Sequence, residues 1–117
     1  MLPGLTRQKG DTMTHLYRIP FPQMAGDSPA PHTTVKAATA GSHRLRVVEF
    51  RKGFEDPDWC RLPHTGYVLE GSLRVAFPTE QIVLEPGDGL YIPLGDAHRH
   101  KATPLTDHAV LVLFDPI

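Results

Sequence analysis

Gly87-Asp88-Gly89-Leu90-Tyr91-Ile92-Pro93-Leu94-Gly95-Asp96-Ala97-His98 is the stretch whose reading decides the fold. Gly87 suits a turn position that needs positive φ. Leu90, Tyr91 and Ile92 then form a short strand, Pro93 ends it, and Gly95 permits a tight reversal. The next strand is expected to begin at His98. The two-residue period of a strand would set His98 and His100 on one face and Arg99 and Lys101 on the other. If that face lines the inside of a closed sheet, two imidazoles point inward.

Outward from this stretch, the chain reads as short strands separated by Gly/Pro turns. A β-like run opens at Val35 and ends near Gly41. His43 to Arg51 alternates, with Leu45, Val47 and Glu49 on one side and Arg44, Arg46, Val48 and Phe50 on the other. Tyr67-Val68-Leu69, the Glu70-Gly71 turn and Leu73-Val75-Phe77 read as a hairpin. Ile82 to Leu84, Leu90 to Ile92 and Ala109 to Phe114 complete the set, and Lys52 to Pro63 is an irregular connection. No stretch offers an amphipathic helix, so the expected class is all-β, a sandwich or small barrel. Residues 1–32 are dense in Pro and Gly and show no sustained period. They read as an irregular arm, with Leu16-Tyr17-Arg18-Ile19 as a short edge strand, ahead of a barrel domain at 33–117.

Composition narrows the function. A chain of 117 residues suits one domain. Twelve Lys+Arg against thirteen Asp+Glu give a net charge of -1, which argues against a nucleic-acid surface or a polybasic membrane patch. One cysteine excludes an intrachain disulfide. No apolar run approaches the ~20 residues that span a bilayer, and the N-terminus lacks the apolar core of a secretory signal. A cytoplasmic protein is expected. Seven histidines raise the question of a metal.

The spacing G-x5-P-x-G-x2-H from Gly87 to His98 resembles the second motif of the cupin family, and the resemblance extends over about Arg44 to Phe114. It implies a double-stranded β-helix, the jelly-roll or cupin barrel, commonly paired as a homodimer and commonly holding one metal inside. The family's second motif contributes one histidine ligand, here His98. Its first motif, G-x5-H-x-H-x3,4-E-x6-G, is atypical in this chain. Counted back from Gly71, the Glu position is His64, and with a three-residue gap the two His positions are Asp58 and Cys60. The resemblance thus implies the ligands His98, His64, Cys60 and Asp58; His100, on the same face as His98, reads as a substitute ligand or a proton shuttle, and Tyr91 as a further neighbour of the site.

Cys with two His suits Zn(II) in a tetrahedral site. Asp58, His64 and His98 without Cys60 form a two-His-one-carboxylate set of the non-haem Fe(II) kind. One divalent transition metal is therefore expected, zinc first, then Fe, Ni or Mn. Arg46, Arg51, Arg61 and Arg74 are candidates for holding an anion if they face inward. Cys60 with His64 suggests a nucleophile–base pair only if the two come within hydrogen-bond reach. Two function classes follow: a small metalloenzyme of dioxygenase, isomerase or lyase type acting on a small polar molecule, or a non-catalytic binding module that senses a small ligand or metal. The partner expected in either case is a small molecule, with no nucleic acid and no membrane.

Overall fold

The computed structural model describes residues 17–116 and, as backbone, the strand Leu5–Thr6. The strands are β1 (Leu5–Thr6), β2 (Thr33–Ala40), β3 (His43–Arg51), β4 (His64–Glu70), β5 (Leu73–Ala76), β6 (Gln81–Leu84), β7 (Gly89–Ile92), β8 (Lys101–Pro104) and β9 (His108–Pro116). All pair antiparallel. One sheet runs β1-β2-β3-β9-β4-β7 and the other β6-β5-β8, and the two face each other as a jelly roll. Leu16 of the expected edge strand lies outside the described residues. Tyr17 to Ile19 carry no strand; the chain instead makes a single 3-10 turn at Phe21–Gln23. Residues 17–32 are irregular but packed: Met24 is buried, and Lys36 Nζ donates to Phe21 O at 2.9 Å.

Alternation sets the core. Leu73 and Val75 of β5, Val48 of β3, Val68 of β4, Leu90 and Ile92 of β7 and Ala109, Leu111 and Leu113 of β9 face one another between the sheets. On β3 the inward side carries Arg46, Val48 and Phe50, as their alternation predicts, and Arg44 continues that side toward the end of the strand.

The expected hairpin through Glu70-Gly71 does not form. β4 pairs with β7 and β9, and β5 pairs with β6 and β8, so the two strands belong to different sheets. A register shift between Val68 and Glu70 turns the end of β4, and Gly71 at φ 71° carries the chain across. A Cβ at Gly71 would lie 2.0 Å from the His108 carbonyl oxygen, so only glycine passes this corner. A short turn between alternating strands marks a reversal, but whether it closes a ladder or changes sheets depends on partners distant in sequence.

Candidate metal centre and cavity

Cys60, His64 and His100 come together at one end of the space between the sheets, and one donor atom from each lies within 4.8 Å of the others. Backbone pairing positions them. Cys60 N–H donates to His100 O at 2.9 Å, and His100 N–H donates back to Cys60 O at 3.0 Å, an isolated antiparallel bridge that sets both side chains on one side. His64 opens β4, opposite Ile92 of β7. The His64 and His100 rings meet edge-on with centroids 5.3 Å apart, and His100 is 4% exposed.

Each imidazole is anchored through Nδ1. His100 Nδ1 lies 3.0 Å from the His98 carbonyl oxygen, so it carries the proton and donates. His64 Nδ1 faces Asp115 Oδ2 at 3.4 Å. That leaves both Nε2 atoms unprotonated in the neutral rings, the form a metal takes. His64 Nε2 lies 3.7 Å from Cys60 Sγ. Two donors on a tetrahedral zinc, at about 2.3 Å for sulfur and 2.05 Å for nitrogen, stand about 3.6 Å apart. The observed separation is the edge of such a tetrahedron, so the residues present fit a zinc-type ion.

Three acidic and basic groups frame these donors. Asp115 is 4% exposed and accepts from Arg46 Nη2 at 2.6 Å and Thr65 N–H at 3.2 Å. Burial pushes the Asp115 carboxyl up, but the Arg46 and Thr65 hydrogen bonds and the charges of His64 and Arg46 outweigh it, and the group titrates below 3.8. His64 titrates below 6.5: burial, with the charges of Arg46 and His100, lowers it more than Asp115 raises it, which favours the neutral ring. Asp56 Oδ2 accepts from Ala102 N–H at 2.7 Å. Burial raises the Asp56 pKa, against the Ala102 hydrogen bond and the nearby His100, His64 and Lys101.

Cys60, His64, His100, Arg46 and Asp56 line a cavity of about 250 Å³ between the sheets. Apart from Thr33 its remaining walls are apolar, with Val35, Phe50, Phe54, Leu73, Ile92 and Leu111 prominent.

The structure brings His64 and Cys60 together and sets His100 with them; it does not bring His98 or Asp58 to the cluster. The strand expected to begin at His98 begins at Lys101. Gly95 at φ 124° leads instead into a 3-10 turn at Asp96–His98, which leaves His98 exposed on an outer groove beside Arg99. Asp58 is exposed in the loop before β4, where its Oδ1 accepts from Trp59 N–H at 2.7 Å. Tyr91 is 74% exposed because Leu90 and Ile92 take the inward positions of β7. One available signal pointed to His100: counting back by two from Ala102 and Pro104, the buried positions of β8, reaches His100. Asp56 and Asp115 gave no signal, since one sits in an acidic loop and the other near the chain end.

Residues 59–114 match the family model of the cupin domain. Among solved structures, the chain is similar to KdgF from Halomonas sp. at 26% identity and TM-score 0.65, over 80% of this chain and 88% of that one. It is similar to an RmlC-like cupin from Shewanella frigidimarina at 22% identity and TM-score 0.64, over 80% and 84%. The polyketide cyclase RemF from Streptomyces resistomycificus shares the fold at 21% identity and TM-score 0.71, over 87% and 80%. No curated protein sequence matches significantly. The family-model match and the cupin-fold neighbours together support a small cupin domain in this chain. Within this chain the domain carries the candidate Cys60-His64-His100 site.

Proposed function

We propose that this cupin is a metalloenzyme of isomerase or lyase type, in which Cys60 Sγ, His64 Nε2 and His100 Nε2 hold one divalent transition metal, zinc first, beside a small-molecule cavity. The observation that carries this reading is the donor set itself. Three ligand atoms lie within 4.8 Å of one another, the Cys60–His64 pair at 3.7 Å, with no fourth side-chain donor grouped with them among the described residues, and all three residues line the cavity. A structural zinc site closes its shell with four protein ligands; three with an open side is the catalytic pattern. The metal supplies Lewis-acid polarisation of a substrate oxygen. The chain supplies the rest: Asp115 holds the His64 ring, the apolar walls exclude water, and Asp56, its pKa raised by burial, takes up and returns a proton. The fold is shared with proteins described as a polyketide cyclase and a sugar phosphate isomerase, at 21% and 18% identity, so it selects no reaction.

Elemental analysis tests this directly. Protein purified without chelator or metal column is expected to hold stoichiometric zinc, and Cys60→Ala to lose it. Absence of metal from both proteins, or full retention in Cys60→Ala, would sink the assignment; iron, nickel or manganese at the same residues would change the metal alone.

We also propose that two copies pair through the outer face of the large sheet. Tyr67, Leu69 and Phe114 lie there on the neighbouring strands β4 and β9, each nearly half exposed, and a net charge of -1 sets up little self-repulsion. Light scattering is expected to give a dimer that Leu69→Arg dissociates; a monomeric wild type refutes this.

A further inference from the structure

The cavity's polar end holds a group that the metal reading leaves unexplained. Arg46 lies on the inward side of β3 and lines the cavity. A guanidinium carries five N–H donors in a planar fork. Among the described residues only one Arg46 bond is present, Nη2 to Asp115, and its Nε is buried without an acceptor. Buried donors without partners are uncommon in native proteins and call for an acceptor. Arg44, next along the same side of β3, also buries its Nε without one. Asp115 does not account for Arg46, because it is shared with His64 and Thr65 N–H.

An anion would take up the unused Arg46 donors, and a carboxylate matches the guanidinium fork better than any neutral group. The remaining walls dictate the rest of the ligand. Phe50, Phe54, Leu73, Ile92 and Leu111 offer no hydrogen bonds, and outside the donor cluster and Arg46 only Thr33 and Asp56 add polar groups, so most hydroxyls of a polyhydroxylated molecule would be buried without partners. At the roughly 30 Å³ that a liquid water occupies, about 250 Å³ admits on the order of eight non-hydrogen atoms.

We propose that the cavity binds a compact carboxylate with an apolar body, ring or branched chain, its carboxylate at Arg46 and its body against Phe50, Phe54 and Leu73. This rests on the small-molecule site proposed above and corrects its expected polarity: the ligand is polar at one end only.

Calorimetric titration of the zinc-loaded protein with benzoate, benzyl alcohol and gluconate tests it, with metal content measured on the same samples. Benzoate and benzyl alcohol share a body and differ in charge; gluconate keeps the carboxylate on a polar body. Benzoate is expected to bind at least tenfold more tightly than either. In Arg46→Met benzoate should lose at least tenfold, while benzyl alcohol changes by less than threefold. Because both probes fill the same walls, a damaged fold would weaken them together; in that event Arg46→Lys, which keeps the charge, must restore the preference for benzoate. Equal binding of benzoate and benzyl alcohol, or tighter binding of gluconate, overturns the proposal. If the protein holds no metal yet still discriminates through Arg46, the carboxylate site stands and the metal reading falls. If metal is bound without discrimination, the reverse holds.

Discussion

Asp115→Asn is the substitution that asks most of the structure. The side chain keeps its shape and one carbonyl acceptor, but its charge goes, and an NH2 donor now faces groups that also donate. Arg46 Nη2 at 2.6 Å, Thr65 N–H at 3.2 Å and His64 Nδ1 at 3.4 Å all point at this carboxylate. Two consequences separate. The first is stability: removing one member of a buried ion pair costs about 3–5 kcal/mol when the survivor is sealed from water. Arg46 keeps 18% of its side chain exposed, which lets water recover part of this, so a loss of about 2–3 kcal/mol is expected. For a domain of this size that lowers the melting temperature by about 10–20 °C. The second is metal affinity. Without its anionic partner the His64 ring is no longer held in the tautomer that presents Nε2, and zinc binding should weaken about 10–100-fold.

Thermal unfolding of the metal-free protein reads the first effect, and chelator competition reads the second. Acid adds an internal control. The Asp115 pKa is depressed in the folded state, so the ionised group stabilises the fold above 3.8 and that stabilisation fades as pH falls through the folded value. Wild type and Asp115→Asn should therefore converge in strong acid and differ most near neutrality. A variant that melts within about 2 °C of wild type at pH 7, with zinc affinity unchanged, would refute the reasoning that this carboxylate organises the site.

Other outcomes follow from the same geometry. His100→Ala should weaken zinc by at least about 100-fold, beyond the effect of losing a supporting partner, while His98→Ala, on an exposed turn, should leave metal content unchanged; elemental analysis of the two decides between the adjacent histidines. Asp56→Asn should raise thermal stability at neutral pH, because burial makes the ionised carboxylate costly, while abolishing proton transfer; a less stable variant would mean that the Ala102 hydrogen bond outweighs the charge. The folded His64 pKa lies below 6.5, so the unfolded chain binds that proton first, and the metal-free protein should lose stability as pH falls through this value; a His64→Gln variant should show a flatter slope in denaturant titrations. Gly71→Ala should destabilise by roughly 2–4 kcal/mol, through both its φ of 71° and the Cβ clash with the His108 carbonyl, measurable by urea unfolding.

Why the strands were legible and the site only partly so has one physical cause. Strand membership is local: alternation of Val48 with Phe50, or of Leu73 with Val75, is readable within five residues because each side chain chooses a face by its neighbours alone. Sheet membership is not local, which is why Gly71 reads as a hairpin turn and acts as a crossing between sheets. The candidate metal centre combines both kinds of information. His64 and Cys60 are found by their register with Gly71, four residues apart at the entry to one strand. The His98 to His100 shift came from extending the strand period into a segment that coils as a 3-10 turn. Counted back from Ala102, inside β8, the period holds to His100 and ends at the 3-10 turn that contains His98. Asp115 is the extreme case. It reaches His64 across 51 positions of sequence only because β9 lies between β3 and β4, so Arg46 and Thr65 arrive from its two sides. The sheet order that hid this residue from the sequence also makes it the joint between fold stability and the site: a substitution there is felt by Arg46, on the wall of the cavity, and by His64, beside the other two donors. Stability and zinc affinity should therefore fall together at Asp115 and separate at His100, where the side chain is held by a backbone carbonyl instead of an ion pair.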